Sequence, residues 1–110
     1  MHQVVVDEAK LAEIVSRLVD AVDPDRIILF GSRSRGDVHS QSDVDLLIVK
    51  PSSEPRHRRV GQAHRALIGV GVPIDILWYT PDEAEHWSQV KFHVAGRAMR
   101  EGHILYEREP

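Results

Sequence analysis

Between Gly31 and Val49 the chain reads GSRSRGDVHSQSDVDLLIV, and its last six residues, Val44 to Val49, have the pattern of an apolar strand. Asp43 and Asp45 flank the first valine of that strand. Side chains alternate along a strand, so residues i and i+2 project to the same side, roughly 7 Å apart at the backbone. Two carboxylates placed so repel each other, and desolvating them is costly unless something positive compensates. A divalent cation does this: Mg²⁺ takes oxygen ligands and is usually held by a few carboxylates plus substrate phosphates. The alternative is a solvated pair at an exposed strand end, and Asp-x-Asp alone does not separate the two.

The neighbours add weight to the chemical reading. The short apolar run Arg26 to Phe30 ends in Gly31-Ser32, a glycine that lets backbone approach a ligand and a hydroxyl that can donate to it. Backbone N–H groups after a strand form an anion site if a helical turn follows. Arg33 and Arg35 could add phosphate contacts or be solvated loop charges. A nucleoside triphosphate with its metal fits phosphate donors beside cation ligands. The Walker loop does not fit, because Asp37-Val38 stands where Lys-Ser/Thr is required, and no Gly-x-Gly-x-x-Gly occurs. Asp75 interrupts a third apolar run, Val72 to Tyr79, where an unpaired carboxylate would be costly. If the two strands are neighbours, Asp75 faces the same site as Asp43 and Asp45. Three carboxylates are enough to hold two Mg²⁺ about 4 Å apart, the arrangement that serves an in-line displacement. A salt bridge to a nearby arginine is the competing role for Asp75.

The elements that must position these residues follow from periodicity. A helix is expected over Asp7 to Ala21, capped by Asp7, with Leu11, Ile14, Val15, Leu18 and Val19 on one face. Asp23-Pro24-Asp25 is a turn, Arg26 to Phe30 and Val44 to Val49 are strands, and Pro55 opens a helix over Arg56 to Val70. That helix presents Val60, Ala63, Leu67 and Val70 on one side and Arg58, Gln62 and Arg65 on another. Val72 to Tyr79 is the third strand. Thr80-Pro81-Asp82-Glu83 is a capping box with proline at the first helical position. A further helix over Val90 to Arg100, ended by Gly102, and a short strand at Ile104 to Tyr106 complete an α/β (α+β) layer structure: a small mixed β-sheet with helices packed on it.

Composition narrows the class. A chain of 110 residues with 42% apolar and 28% charged residues is expected to form one globular domain spanning 1–110. The net charge of −3 provides no global field for nucleic acid, so no direct nucleic-acid binding is expected. The absence of cysteine excludes disulfides and thiolate metal sites. MHQVVVDEAK lacks the features of a signal peptide, and the longest uncharged apolar run, Ala66 to Ile74, is too short to span a membrane. A cytoplasmic location without membrane contact is the expectation. The seven histidines have no metal-ligand spacing and are read as solvated. The cluster Arg56-His57-Arg58-Arg59 is read as a polar helix face, with docking of an acidic partner as the alternative. Trp78, Tyr79 and Trp87 are read as core and rim.

Gly31-Ser32, ten residues, Asp43-Val44-Asp45, and a later aspartate inside a strand resemble the minimal nucleotidyltransferases of the DNA polymerase β-like superfamily. The fuller pattern, Gly-Ser-Arg-x-Arg-Gly-Asp before Ser-Asp-x-Asp-Leu, is similar to the small prokaryotic members, several of which are antitoxins of HEPN-domain ribonucleases. The resemblance covers about Ile27 to Leu77 plus the preceding helix. It implies the polymerase β-like fold, with Gly31 and Ser32 on the β- and γ-phosphates of ATP. It implies that Asp43 and Asp45 ligate two Mg²⁺, and that Asp75 helps hold one and orients or deprotonates the attacking hydroxyl. The reaction implied is transfer of AMP, or another nucleoside monophosphate, to a hydroxyl with release of pyrophosphate. In antitoxin members the acceptor is a tyrosine of the HEPN toxin. Larger members add a helical acceptor domain, whereas only about 35 residues follow Asp75. The acceptor surface is therefore expected from another chain, a protein partner or a second copy. Two other functions remain open at this stage: a binding module that neutralises its partner by occlusion, and a transferase subunit acting on a small molecule or RNA.

Overall fold

The computed structural model describes residues 7–31 and 44–109. The N-terminal helix α1 (Glu8–Val22) starts where expected, with the Asp7 carboxylate accepting from the Lys10 N–H at 2.9 Å. It stops at Asp23, which takes a left-handed conformation (φ 49°) before the fully buried Pro24. Strands β1 (Arg26–Phe30) and β2 (Val44–Val49) have the bounds read from the sequence. Helix α2 (Arg56–Ala66) is followed by β3 (Ile74–Tyr79), α3 (Pro81–Ser88), α4 (Val94–Glu101) and β4 (His103–Glu107).

The four strands form one mixed sheet in the order β3-β2-β1-β4. β1 runs antiparallel to both β2 and β4, while β2 and β3 are parallel and joined through α2. Strand alternation divides the apolar residues between two layers. Ile27 and Leu29 of β1, Leu46 and Ile48 of β2, and Ile76 and Trp78 of β3 pack with Ile14, Leu18, Ala63 and Leu67. Ile28, Leu47, Val49 and Tyr79 face the other way, onto Ala84 of α3 and Ala95 and Ala98 of α4. Helices thus cover both faces, α1 and α2 on one and α3 and α4 on the other. None of the described helices is long and apolar enough to cross a membrane.

Several expected boundaries move, each for a tertiary reason. α2 ends at Ala66 rather than Val70, because the chain turns through Gly69 (φ 86°), yet Leu67 and Val70 still reach the core from the turn. β3 begins at Ile74, where its ladder with Val44 begins. Val90 to His93 form a turn instead of the start of a helix, and α4 begins only after His93, whose Nδ1 accepts from the Ala95 N–H at 3.1 Å. β4 extends by one residue at each end of its expected span through pairing with β1, across an irregularity between Ile27 and Ile28.

The polar reading of the basic cluster fails at one residue. Arg56, His57 and Arg58 are exposed, but Arg59 is only 8% exposed. Its guanidinium bonds to the Glu54 carbonyl at 2.7 Å and to the Glu83 carboxylate at 2.8 Å. Glu83 also accepts from the Thr80 N–H at 2.9 Å, so the capping box of α3 and the buried arginine of α2 share one carboxylate. Of the aromatic residues, Trp78 and Tyr79 are buried and Trp87 half-buried.

Candidate functional site

At one end of the sheet, three strands bring their residues into a row. Phe30 of β1 stands opposite Asp45 of β2, and Asp45 opposite Asp75 of β3. Adjacent strands lie about 4.8 Å apart, and parallel partners project to the same face, so the two carboxylates are immediate neighbours. Both belong to the face covered by α3 and α4, one strand period beyond Leu47 and Leu77 of that apolar layer. Asp45 is half-buried. Asp75 is exposed on the edge strand β3, so the burial cost that an unpaired carboxylate would carry inside an apolar run is small here. Among the described residues Asp75 has no ion pair, so the competing salt-bridge role finds no partner there.

Gly31 closes the row. It leaves β1 with φ 79°, a conformation that L side chains rarely adopt. A Cβ built on it would lie 3.1 Å from the Asp45 Cγ and run into the carboxylate oxygen Oδ2. The backbone of Gly31 and the Asp45 carboxylate therefore touch in a space no methyl group could share. Of the seven residues singled out in the sequence, Gly31, Asp45 and Asp75 are thus brought together. Ser32, Arg33, Arg35 and Asp43 lie outside the described residues. Among the described residues no group of three His, Cys, Asp or Glu side chains could hold a metal ion, and Asp45 with Asp75 makes two.

Sequence reasoning missed the contribution of α4. Val94, Arg97 and Glu101 recur at helical spacing along one edge of this helix and line a cleft of about 170 Å³ with Phe30 and Gly31. The i, i+3, i+7 spacing was visible, but nothing local shows which edge faces the site. Arg97 pairs with Glu101 at 2.6 Å, and its side chain remains 60% exposed. A larger cleft, about 650 Å³, opens at the opposite end of the strands beside Arg26 and Val49. It shares no residue with the carboxylate row.

The sequence matches a family model described as nucleotidyltransferase domain over residues 8–100. No curated protein matches it. Among solved structures, one of a Sulfolobus solfataricus protein assigned as a nucleotidyltransferase superposes with TM-score 0.65 and 22% identity, over 91% of this chain and 79% of that one. A toxin–antitoxin structure with AMP-PNP superposes with TM-score 0.63 at 20% identity, over 89% of this chain and 73% of that one. The toxin–antitoxin MntA-HpeT, in a variant with two aspartates replaced by glutamates, gives TM-score 0.61 at 17% identity, over 94% and 75%. These likenesses place the sheet and its helices in the nucleotidyltransferase fold. Because the family model spans nearly every described element, from α1 into α4, the chain belongs to the nucleotidyltransferase domain family.

Proposed function

We propose that the chain is a Mg²⁺-dependent nucleotidyltransferase that moves AMP from ATP onto a hydroxyl of a partner protein. In this reading it acts in the cytoplasm as the antitoxin of a HEPN-domain ribonuclease, and the acceptor is a tyrosine of that toxin. The observation that carries the catalytic part is the contact of Gly31 backbone with the Asp45 carboxylate, beside Asp75. It puts a glycine, whose missing side chain lets a ligand come close to the backbone, beside a pair of hard oxygen donors, the donor set that suits Mg²⁺. The toxin–antitoxin structures that share the fold, one of them carrying AMP-PNP, support the partner and the nucleotide.

Asp45 and Asp75, joined by Asp43, would hold the metal. When bound, Mg²⁺ offsets the phosphate charge and steadies the attacking and leaving oxygens. Gly31 and Ser32 bind the β- and γ-phosphates, with Arg33 and Arg35 as further phosphate contacts. Asp75, open to solvent, orients the acceptor hydroxyl and takes its proton. The acceptor oxygen then bonds to the α-phosphorus, the bond from that phosphorus to the bridging oxygen breaks, and pyrophosphate leaves with its electron pair. Asp75 stands at an open edge of the sheet, where a hydroxyl on a second chain can reach it.

The test is label transfer from α-labelled ATP to the co-purified partner, followed by intact-mass analysis. Wild type should add whole AMP units in the presence of Mg²⁺, and Asp45→Asn should add none while still binding the partner. An Asp45→Asn protein that neutralises the partner fully, with no added mass on the partner in either case, would mean neutralisation by occlusion.

A further inference from the structure

We propose that Phe92, with Val94 beside it, is the anchor on which the acceptor protein docks, and that the matching surface is an apolar pocket with an acidic rim. The inference rests on the transfer reading above and adds where the acceptor is held.

Three apolar side chains are exposed within five residues: Val90 at 38%, Phe92 at 92% and Val94 at 48%. Single exposed apolar residues are ordinary, but a contiguous group led by a nearly bare phenylalanine marks a contact surface. The turn that carries it is held at several points. Arg100 reaches back from α4 to the carbonyls of Ser88 at 2.9 Å and Lys91 at 2.7 Å. The Val90 N–H bonds to the Trp87 carbonyl at 3.0 Å, and the His93 N–H to the Val90 carbonyl at 3.2 Å. The His93 ring stacks on Trp87 at 4.0 Å, with 16° between the planes. A turn braced on both sides of residue 92 fixes the backbone that carries the phenylalanine, which lowers the ordering cost of binding. Such aromatic anchors carry a disproportionate share of interface energy.

The placement suits an acceptor. Val94 opens the helix whose edge borders the cleft at Gly31, on the sheet face that carries Asp45 and Asp75. A protein seated on Phe92 and Val94 therefore borders the cleft at Gly31, the end of the carboxylate row nearest α4. The rim is cationic: the Lys91 ammonium stands 5.5 Å from the Phe92 ring centroid and Arg100 is exposed close by, while Arg97 is offset by Glu101. Acidic groups around the partner's pocket would complement Lys91 and Arg100.

The experiment places a benzophenone-bearing photoreactive residue at position 92 of the full chain and irradiates native cells. The polypeptide captured is identified by mass spectrometry, purified separately and offered to the wild-type chain with α-labelled ATP and Mg²⁺. The expected result is one captured protein that accepts the label. With that protein, Phe92→Ser should raise KM about tenfold or more and leave kcat within about twofold. The same variant should keep the wild-type thermal shift with MgATP, since a side chain so exposed contributes little to folding. Lys91→Glu should weaken transfer at low salt and lose most of that effect at high salt. Capture of a second copy of this chain, of nucleotide alone, or of nothing overturns the proposal, as does transfer by Phe92→Ser at wild-type efficiency. If the wild-type chain labels no protein at all, the transfer reading fails and the docking inference with it. Label that is present but indifferent to position 92 sinks the docking inference alone.

Discussion

Asp45 on β2 and Asp75 on β3 are direct partners in the parallel pairing, at the end of the sheet where Gly31 leaves β1. Their charges repel at the roughly 5 Å separation of neighbouring strands, and no fixed cation among the described residues sits on Asp75 to offset that.

This relationship predicts opposite effects of one substitution on stability with and without metal. Asp75→Asn removes a like-charge contact and should raise the melting temperature of the metal-free protein by a few degrees. Wild type should gain about 2.7 kcal/mol when Mg²⁺ is raised to about 100 times its Kd, and both Asp45→Asn and Asp75→Asn should lose most of that gain. Thermal melts with and without Mg²⁺ measure both. An equal Mg²⁺ shift in all three proteins would put the cation elsewhere.

Gly31→Ala should damage structure and activity together. The added methyl meets the Asp45 carboxylate, and alanine disfavours φ 79° by about 1 kcal/mol or more. Displacing a carboxylate by a fraction of an ångström costs transfer about tenfold or more. A denaturant melt paired with the label assay separates the two effects. Full activity in a destabilised Gly31→Ala protein would show that the contact is only structural.

The Arg59–Glu83 pair should set part of the acid sensitivity. Partial burial raises the Glu83 pKa, but the Thr80 N–H and the Arg59 guanidinium together outweigh it and hold the carboxyl below its ordinary 4.5. A carboxyl lowered in the folded state stabilises the fold above its ordinary pKa, and this contribution fades as pH falls below 4.5 through the lower folded value. Glu83→Gln keeps an acceptor for the Thr80 N–H but leaves Arg59 without its counter-charge. It should cost about 1–3 kcal/mol at neutral pH and flatten the loss of stability below that point. Urea melts across pH 3 to 7 test it, and parallel curves for the two proteins would remove Glu83 from the acid response (the pH range is about that of carboxylate titration).

His93 should act as the cap of α4. Its Nδ1 accepts from the Ala95 N–H at 3.1 Å. His93→Ala should cost about 1 kcal/mol from the lost cap and more from the lost stack on Trp87, while His93→Asn should retain the cap term. Equal loss in both variants would assign the whole effect to stacking.

Where structure follows from neighbouring residues, the sequence was a good guide. RIILF and VDLLIV became β1 and β2 with unchanged bounds, and Thr80 to Glu83 became a capping box, because turn residues and local hydrogen bonds define those limits. The C-terminal end of α2 and the start of α4 were not legible; in α2, Leu67 and Val70 keep helical spacing while the backbone has already turned. Arg59 looked like its exposed neighbours, and only the arrival of Glu83 from α3 explains its burial. His93 looked solvated, and its stack on Trp87 and its cap on α4 are set by how the turn folds. At the site, the residue types and spacing singled out Gly31, Asp45 and Asp75, but not their contacts. That Asp75 is exposed was not legible, because nothing in VPIDILWY shows that this strand lies at the edge of the sheet.

The two-layer alternation of β2 has a consequence for folding fidelity. A one-residue slip of this strand against β1 would turn Val44, Leu46 and Ile48 toward α3 and α4 and drive Asp45 into the layer beneath α1 and α2. A carboxylate forced among Ile14, Leu18 and Ile27 is heavily penalised, whereas the apolar residues of β2 would tolerate either side. The same holds for Asp75 on β3, whose other residues are nearly all apolar. These charges therefore guard against mispaired sheets, and replacing both with leucine should yield a protein that collapses readily and settles into more than one strand alignment.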